Sequence, residues 1–190
     1  MVTQPTRELI LDAVFALVYT KGYNGTSMSM ILEACHIPKG SLYHYFPSKK
    51  AMVLAVLKER IAPRMDQFYD LEHHTGDHEI NTLIAAILKV ADNKELLQYG
   101  CPLNRLNQEM APVDKEFAYE INTIYEKLKN KIVQLLHQSD LSEKVAVDSL
   151  SEYVIATVWG ALSLSPEHSS KTRYLQTVSH LVAYLQTLKK

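Results

Sequence analysis

Apolar residues recur mostly three and four apart along this chain, a spacing that predicts helices from one end to the other. The first, about Thr6 to Lys21, puts Leu9, Ile10, Ala13, Val14 and Leu17 on one stripe, and Gly22-Tyr23 reads as its stop with an apolar cover. Asn24-Gly25 turns the chain into a second helix that Ser27 is placed to cap, with Met28, Ile31, Leu32 and Cys35 on one side. His36 falls in the next turn. Pro38 opens a third helix, where its fixed φ and missing N–H cost least. Leu42 and Phe46 share that helix's anchoring face, Pro47 stops it, and Ser48 caps a fourth helix carrying Val53, Leu54, Val56, Leu57 and Ile61. Pro63 interrupts a pattern that resumes at Met65 and Phe68, so it marks either a hinge or the start of a new helix.

The remainder continues in the same period. A helix is predicted over about Glu79 to Asn93, with Leu83, Ile84, Ile87, Leu88 and Ala91 inward. Gly100-Cys101-Pro102 breaks the chain, Leu103 to Met110 forms a short helix, and Asp114 caps a long one to about Ser139. Two helices, about 142–163 and 170–188, close the sequence around a turn holding Pro166 and Glu167. The first has a broad apolar cover, with Ala156, Gly160 and Ala161 permitting close approach. The second spaces Leu175, Val178, Val182 and Leu185 by 3, 4 and 3, which suits a bundle seam. The seam serves either a second copy of the chain or an intramolecular core. The fold expected is all-α, of about nine helices: an N-terminal three-helix helix-turn-helix domain over 1–47, then a helical bundle over 48–190.

The third helix is too short to hold itself together in water. With Leu42 and Phe46 packed down, its other faces present Lys39, Ser41, Tyr43 and His44, and Gly40 permits close approach. Such a face suits the DNA major groove, with donors and acceptors at base edges and phosphates along both walls.

The residues Gly22-Tyr23, Thr26-Ser27, Ile31, Glu33-Ala34, Lys39-Gly40-Ser41-Leu42-Tyr43, Tyr45-Phe46 and Ser48-Lys49 together resemble the DNA-binding domain of the Tet repressor (TetR/AcrR) family of bacterial transcription regulators. The resemblance covers roughly residues 6 to 60. It implies that Lys39, Gly40, Ser41, Tyr43 and His44 face DNA, and that Tyr43, Tyr45 and Lys49 hold phosphates along with Thr26 and Ser27. Tyr43 has a competing reading as a half-buried packing residue. Four positions depart from the family pattern: Met30 removes the acidic partner of a capping box, His36 replaces a turn glycine, Pro38 replaces Ser or Ala, and Lys50 replaces an acid. Lys50 is expected to add to phosphate attraction.

The resemblance further implies a homodimer joined by the last two helices, a near-palindromic double-stranded operator, and a repressor released by a small effector. A helix-turn-helix regulator controlled by a protein partner is the alternative. Gly-Cys-Pro-Leu followed by Gln108-Glu109-Met110 resembles a segment that helps wall the ligand cavity in some branches of that family. Phe68, Tyr69, Tyr99, Cys101, Asn104, Met110, Phe117, Tyr125 and Trp159 are the candidate ligand contacts, and an amphipathic, largely apolar effector fits them.

Charge sharpens the division. Residues 1–64 hold eight Lys/Arg and four Asp/Glu, a net of +4, so the overall −1 leaves −5 for the rest. A basic head on an acidic body fits a DNA-binding part joined to a part that does not bind DNA. Two cysteines far apart exclude a disulfide framework and fit a reducing cytoplasm. No basic-then-apolar leader opens the sequence, and no apolar run approaches the roughly 18 residues of a membrane span. The cluster Glu72-His73-His74-Thr75-Gly76-Asp77-His78-Glu79 has metal-ligand chemistry, but Gly76 separates the histidines, so a solvated loop is expected and neither metal nor cofactor. Glu109, His137 and His180 stand isolated in the sequence, without a nucleophile–base pair or phosphate loop, so no catalytic residue is expected.

Overall fold

In a computed structural model the described residues are 6–68, 79–141, 145–164 and 170–188, with the side chains of 67 and 68 excepted. Every element among them is helical: α1 (Thr6–Lys21), α2 (Met28–Cys35), α3 (Lys39–Tyr45), α4 (Lys49–Val56), α5 (Ala62–Phe68), α6 (Glu79–Lys89), α7 (Lys94–Tyr99), α8 (Pro102–Met110), α9 (Lys115–Gln138), α10 (Val147–Ser163) and α11 (Ser170–Thr187). A π-helical turn, Leu57–Ile61, joins α4 to α5, and a 3₁₀ turn, Val90–Asp92, follows α6. The chain divides into two compact units, Met1–Arg64 with Pro102–Thr123, and Met65–Cys101 with Ile124–Lys190.

In the first unit α1 packs on α2 and α4, and α8 packs on the π turn. The buried side of α1 is Ile10, Leu11, Val14, Val18 and Tyr19. That stripe is turned slightly from the expected one, and Leu9, Ala13 and Leu17 are only half-buried. Pro63 neither ends the helix nor starts another. Lacking an N–H, it leaves the Glu59 carbonyl without its usual donor, and its ring would strike that carbonyl in regular α geometry. The preceding turn widens instead, so that the Ala62 N–H reaches back to the Leu57 carbonyl. Arg60 Nη1 then donates to the orphaned Glu59 carbonyl at 3.2 Å. The same guanidinium donates to Glu8 at 2.5 Å and Asp12 at 2.6 Å, tying the widened turn to α1.

Arg7 completes this clamp with a two-pronged pair to Glu59, at 2.6 and 2.5 Å. Its hydrogen bond, with its charge, holds the Glu59 carboxyl below the ordinary carboxylate range. A carboxyl depressed in the folded state contributes its full stabilisation above the ordinary range, and the contribution is lost as pH falls from that range through the lower folded-state value. Glu59→Gln is therefore expected to flatten the fall in melting temperature between neutral and acidic solution, read by thermal denaturation across pH.

In the second unit α11 packs on α6, α7 and α10. Tyr174 is fully buried, and its hydroxyl donates to the Ile87 carbonyl at 2.8 Å. The inward seam of α11 is Tyr174, Val178, Leu181 and Leu185, not the expected Leu175, Val178, Val182 and Leu185. Leu175 and Val182 sit one position round and are half-buried. Leu88, expected inward on α6, is exposed, whereas Ile80 is buried. Asn93 starts α7, an element the apolar pattern did not predict, by accepting from the Leu96 N–H. Gly100, at φ +79, ends it. Asp66 pairs with Lys127 at 2.6 Å and Lys131 at 3.1 Å. Among the described residues no helix is long and apolar enough to cross a membrane.

Candidate nucleic-acid interface

Two short helices and the turns around them carry the expected DNA face. Ser27, in extended backbone at φ −94 and ψ 160, accepts from the Met30 N–H at 3.2 Å and starts α2. Its partners along the helix, Ile31 and Cys35, are buried. Burial pushes the Cys35 thiol up, which keeps it protonated and part of the core. His36 adopts the left-handed conformation at φ 51 and ψ 36, and its N–H donates to the Leu32 carbonyl at 3.1 Å. Histidine therefore serves at this turn without glycine.

Pro38 precedes α3 as its N-cap residue, one position earlier than expected, and Phe46 ends the helix by donating its N–H to the Leu42 carbonyl. Leu42 is completely buried and Phe46 nearly so. The Arg7 guanidinium covers the Phe46 ring at 5.4 Å. Opposite these anchors Lys39, Gly40, Tyr43, His44 and Tyr45 are exposed and Ser41 half-exposed. Tyr43 and Tyr45 keep 42% and 41% of their surface in solvent. The Lys39 ammonium lies 5.8 Å from the centre of the Tyr43 ring, and the His44 and Tyr45 rings meet edge to face at 5.4 Å. A methyl group added at Gly40 would meet nothing within 4 Å, so no contact inside the protein calls for glycine there. What its bareness provides is a low spot on an outward face.

Three of the expected contacts have other engagements. Thr26 is completely buried, and its hydroxyl donates to the Gly22 carbonyl at 2.8 Å, so it braces the turn from inside. The Lys49 ammonium donates to the carbonyls of Tyr23 and Thr26, each at 2.9 Å, and lies 4.2 Å over the Tyr23 ring. It is held by the protein rather than extended from it. Lys50, expected to attract phosphate, is paired with Asp114 at 2.7 Å and Glu116 at 3.0 Å, which neutralises it locally. Asp114 also caps α9, as expected, by accepting from the Glu116 and Phe117 N–H groups.

The ligand candidates fall in both units. Tyr125 and Trp159 meet edge to face at 5.6 Å in the second, where the Tyr125 hydroxyl donates to Glu152 and Lys129 pairs with the same carboxylate at 3.1 Å. The Trp159 indole N–H is buried and has no acceptor among the described residues. Tyr99 is half-buried, and Cys101 is buried with its thiol 3.8 Å from the Met65 sulfur. Asn104 and Met110 are buried in the first unit, as is Phe117, whose ring meets Tyr23 at 5.3 Å. The Phe68 side chain, Tyr69 and the histidine cluster up to His78 lie outside the described residues. An open groove of about 460 Å³ runs between α10 and α11, lined by Ala146, Ser149, Leu150, Tyr153, Tyr184 and Leu188 among others, none of them a ligand candidate.

Glu109, isolated in the sequence, is the residue the sequence reading missed. Its carboxylate accepts from the Tyr23 and Asn24 N–H groups, both at 2.7 Å. Partners 86 and 85 positions away leave no trace in local spacing.

Known proteins are similar to this chain in sequence and in fold. Residues 10–56 match the family model described as bacterial regulatory proteins, tetR family. An uncharacterized HTH-type transcriptional regulator in the lacX 3' region of Lactococcus lactis subsp. lactis is 30% identical over 167 residues, covering 84% of this chain and 82% of that protein. The HTH-type transcriptional repressor DhaR of Mycobacterium sp. (strain GP1) is 24% identical over 176 residues, covering 85% of this chain and 83% of its own length. The crystal structure of a TetR transcriptional regulator from Chloroflexus aurantiacus has the same fold, with a TM-score of 0.84 over 96% of this chain and 95% of that one at 24% identity.

Proposed function

The chain belongs to the TetR family of bacterial helix-turn-helix transcription regulators, and from that premise we propose that it is a homodimeric repressor that a small effector releases from its operator. The observation that carries the DNA-binding part is the outward side of α3: Lys39, Tyr43, His44 and Tyr45 exposed around a bare Gly40, with Leu42 and Phe46 holding the helix from behind. Lys39 reaches guanine acceptors in the major groove. Tyr43, Tyr45 and Ser27 hold phosphates. Two copies set two recognition helices on a near-palindromic site about one DNA turn or more apart. The functional head is residues 1–47, and the protein works in the cytoplasm beside the chromosome.

Dimerisation is supported by the outer side of α10 and α11. Ala156 and Gly160 are exposed, Tyr153 and Tyr184 are about half exposed with their rings 6.1 Å apart, and Leu175 and Val182 are half-buried. Effector binding is supported by the Trp159 N–H, since a buried donor without an acceptor is costly and a ligand acceptor would satisfy it. The effector is a largely apolar compound with at least one hydrogen-bond acceptor.

The test is selection of a duplex from a random-sequence pool by the purified chain, followed by affinity measurements on that duplex and on a scrambled one. Tyr43→Ala is expected to weaken both by about tenfold, as lost backbone contacts do. Lys39→Ala is expected to lower the preference between the two, by the about 1–3 kcal/mol that one base contact supplies. Wild-type affinity should fall steeply with salt. If no sequence is enriched, or both variants keep full affinity, the docking is wrong.

A further inference from the structure

The turn between α1 and α2 is gripped from two sides within one compact unit. Glu109, next to last in α8, brings its two carboxylate oxygens to the N–H groups of Tyr23 and Asn24, one oxygen each, at 2.7 Å. Gly22, at φ +81, makes room: a Cβ there would come within 2.8 Å of a Glu109 oxygen. On the other side Lys49 holds the carbonyls of Tyr23 and Thr26. Successive N–H groups facing one way form a cradle for an anion, and here the protein's own carboxylate fills it. The partial negative charge at the end of α1 disfavours a carboxylate. The two N–H bonds and the nearby Lys49 ammonium offset that repulsion, so the contact depends on its geometry. The turn leads straight into Ser27, the N-cap of α2.

We propose that Glu109 is a positioning residue for DNA binding: by occupying this cradle it fixes the turn, and through the turn the entry of α2, so that α2 and α3 are presented to DNA in one pose. The proposal rests on the DNA-binding reading above. The Asn24 end of the contact is solvent-exposed, so water replaces the carboxylate readily and its loss loosens the pose without unfolding the head. Glutamine keeps the size of the side chain but supplies one acceptor oxygen, and its amide turns a donor against the second N–H.

The test uses the full chain as wild type, Glu109→Gln and Glu109→Ala, with the selected duplex and a scrambled duplex as probes. Amide hydrogen exchange at Tyr23 and Asn24 is expected to rise about tenfold or more in both variants, with exchange at Leu42 and Phe46 unchanged. Affinity for the selected duplex should fall about tenfold, that for the scrambled duplex should hold, and the melting temperature should move by only a few degrees. Glu109→Gln behaving as wild type in exchange and affinity overturns the proposal. So does an equal loss on both duplexes together with faster exchange at Leu42, which marks general loosening of the head. If the wild-type chain enriches no sequence, the DNA-binding reading fails and the positioning role with it, while exchange at Tyr23 and Asn24 still reports whether the carboxylate holds the turn.

Discussion

Replacing Gly160 with arginine is expected to give a monomer that folds normally and has lost the operator. Gly160 lies on the exposed side of α10, and a Cβ there meets nothing within 4 Å of its own chain. Within one protomer the change is favourable, since glycine in a helix interior costs about 0.8–1.0 kcal/mol relative to alanine and arginine is a good helix former. At an interface of closely approaching helices the same side chain places its bulk and charge where a second copy must sit. Loss of dimerisation removes the tethering of one head by the other, which is worth about a hundredfold or more in affinity. Sedimentation, thermal denaturation and operator binding on one preparation check all three parts. A Gly160→Arg protein that stays dimeric, or that binds the operator as a monomer with wild-type affinity, removes α10 from the interface.

Leu42→Ala is expected to cost about 2–5 kcal/mol of stability, the range for truncating a fully buried leucine. A compact protein has about 5–15 kcal/mol in total. The seven residues of α3 are far below the length at which a helix stands alone. Leu42 is completely buried and holds the helix jointly with Phe46, so a cavity beneath it releases the outward side chains of α3 along with the core. A fall of about 10 °C in melting temperature is expected, with loss of operator binding near the new midpoint. Leu42→Met, which nearly conserves volume, should cost under about 1.5 kcal/mol and retain binding. Equal behaviour of the two variants would mean that α3 is held by something other than this side chain.

Where the sequence was readable, the signal was local. Ser27, Ser48 and Asp114 cap helices as their side-chain chemistry predicts, because the N–H groups they accept from lie two or three residues ahead. Gly22 and Gly100 stop helices because each takes up a positive φ. What escaped the reading depends on partners far along the chain. The seams Leu175/Val182 and Tyr174/Leu181 are one residue apart on α11, and neighbouring helices choose which faces inward. Helix α7 is six residues long, too short to show an apolar period. Thr26, Lys49 and Lys50 have the chemistry of DNA contacts, yet their groups are taken up by Gly22, Tyr23, Thr26 and Asp114. The family resemblance points to a surface but not to which of its polar residues the protein uses for itself.

The chain has one tryptophan, and Trp159 is buried in the second compact unit. Its emission is therefore a private optical reporter for that unit, blind to the helix-turn-helix. Far-ultraviolet ellipticity, by contrast, sums the helices of both. Denaturant titrations followed by the two signals need not agree. Coincident curves would mean that the chain melts as one cooperative body. An ellipticity loss that runs ahead of the fluorescence change would mean that the DNA-reading part comes apart while the bundle still stands.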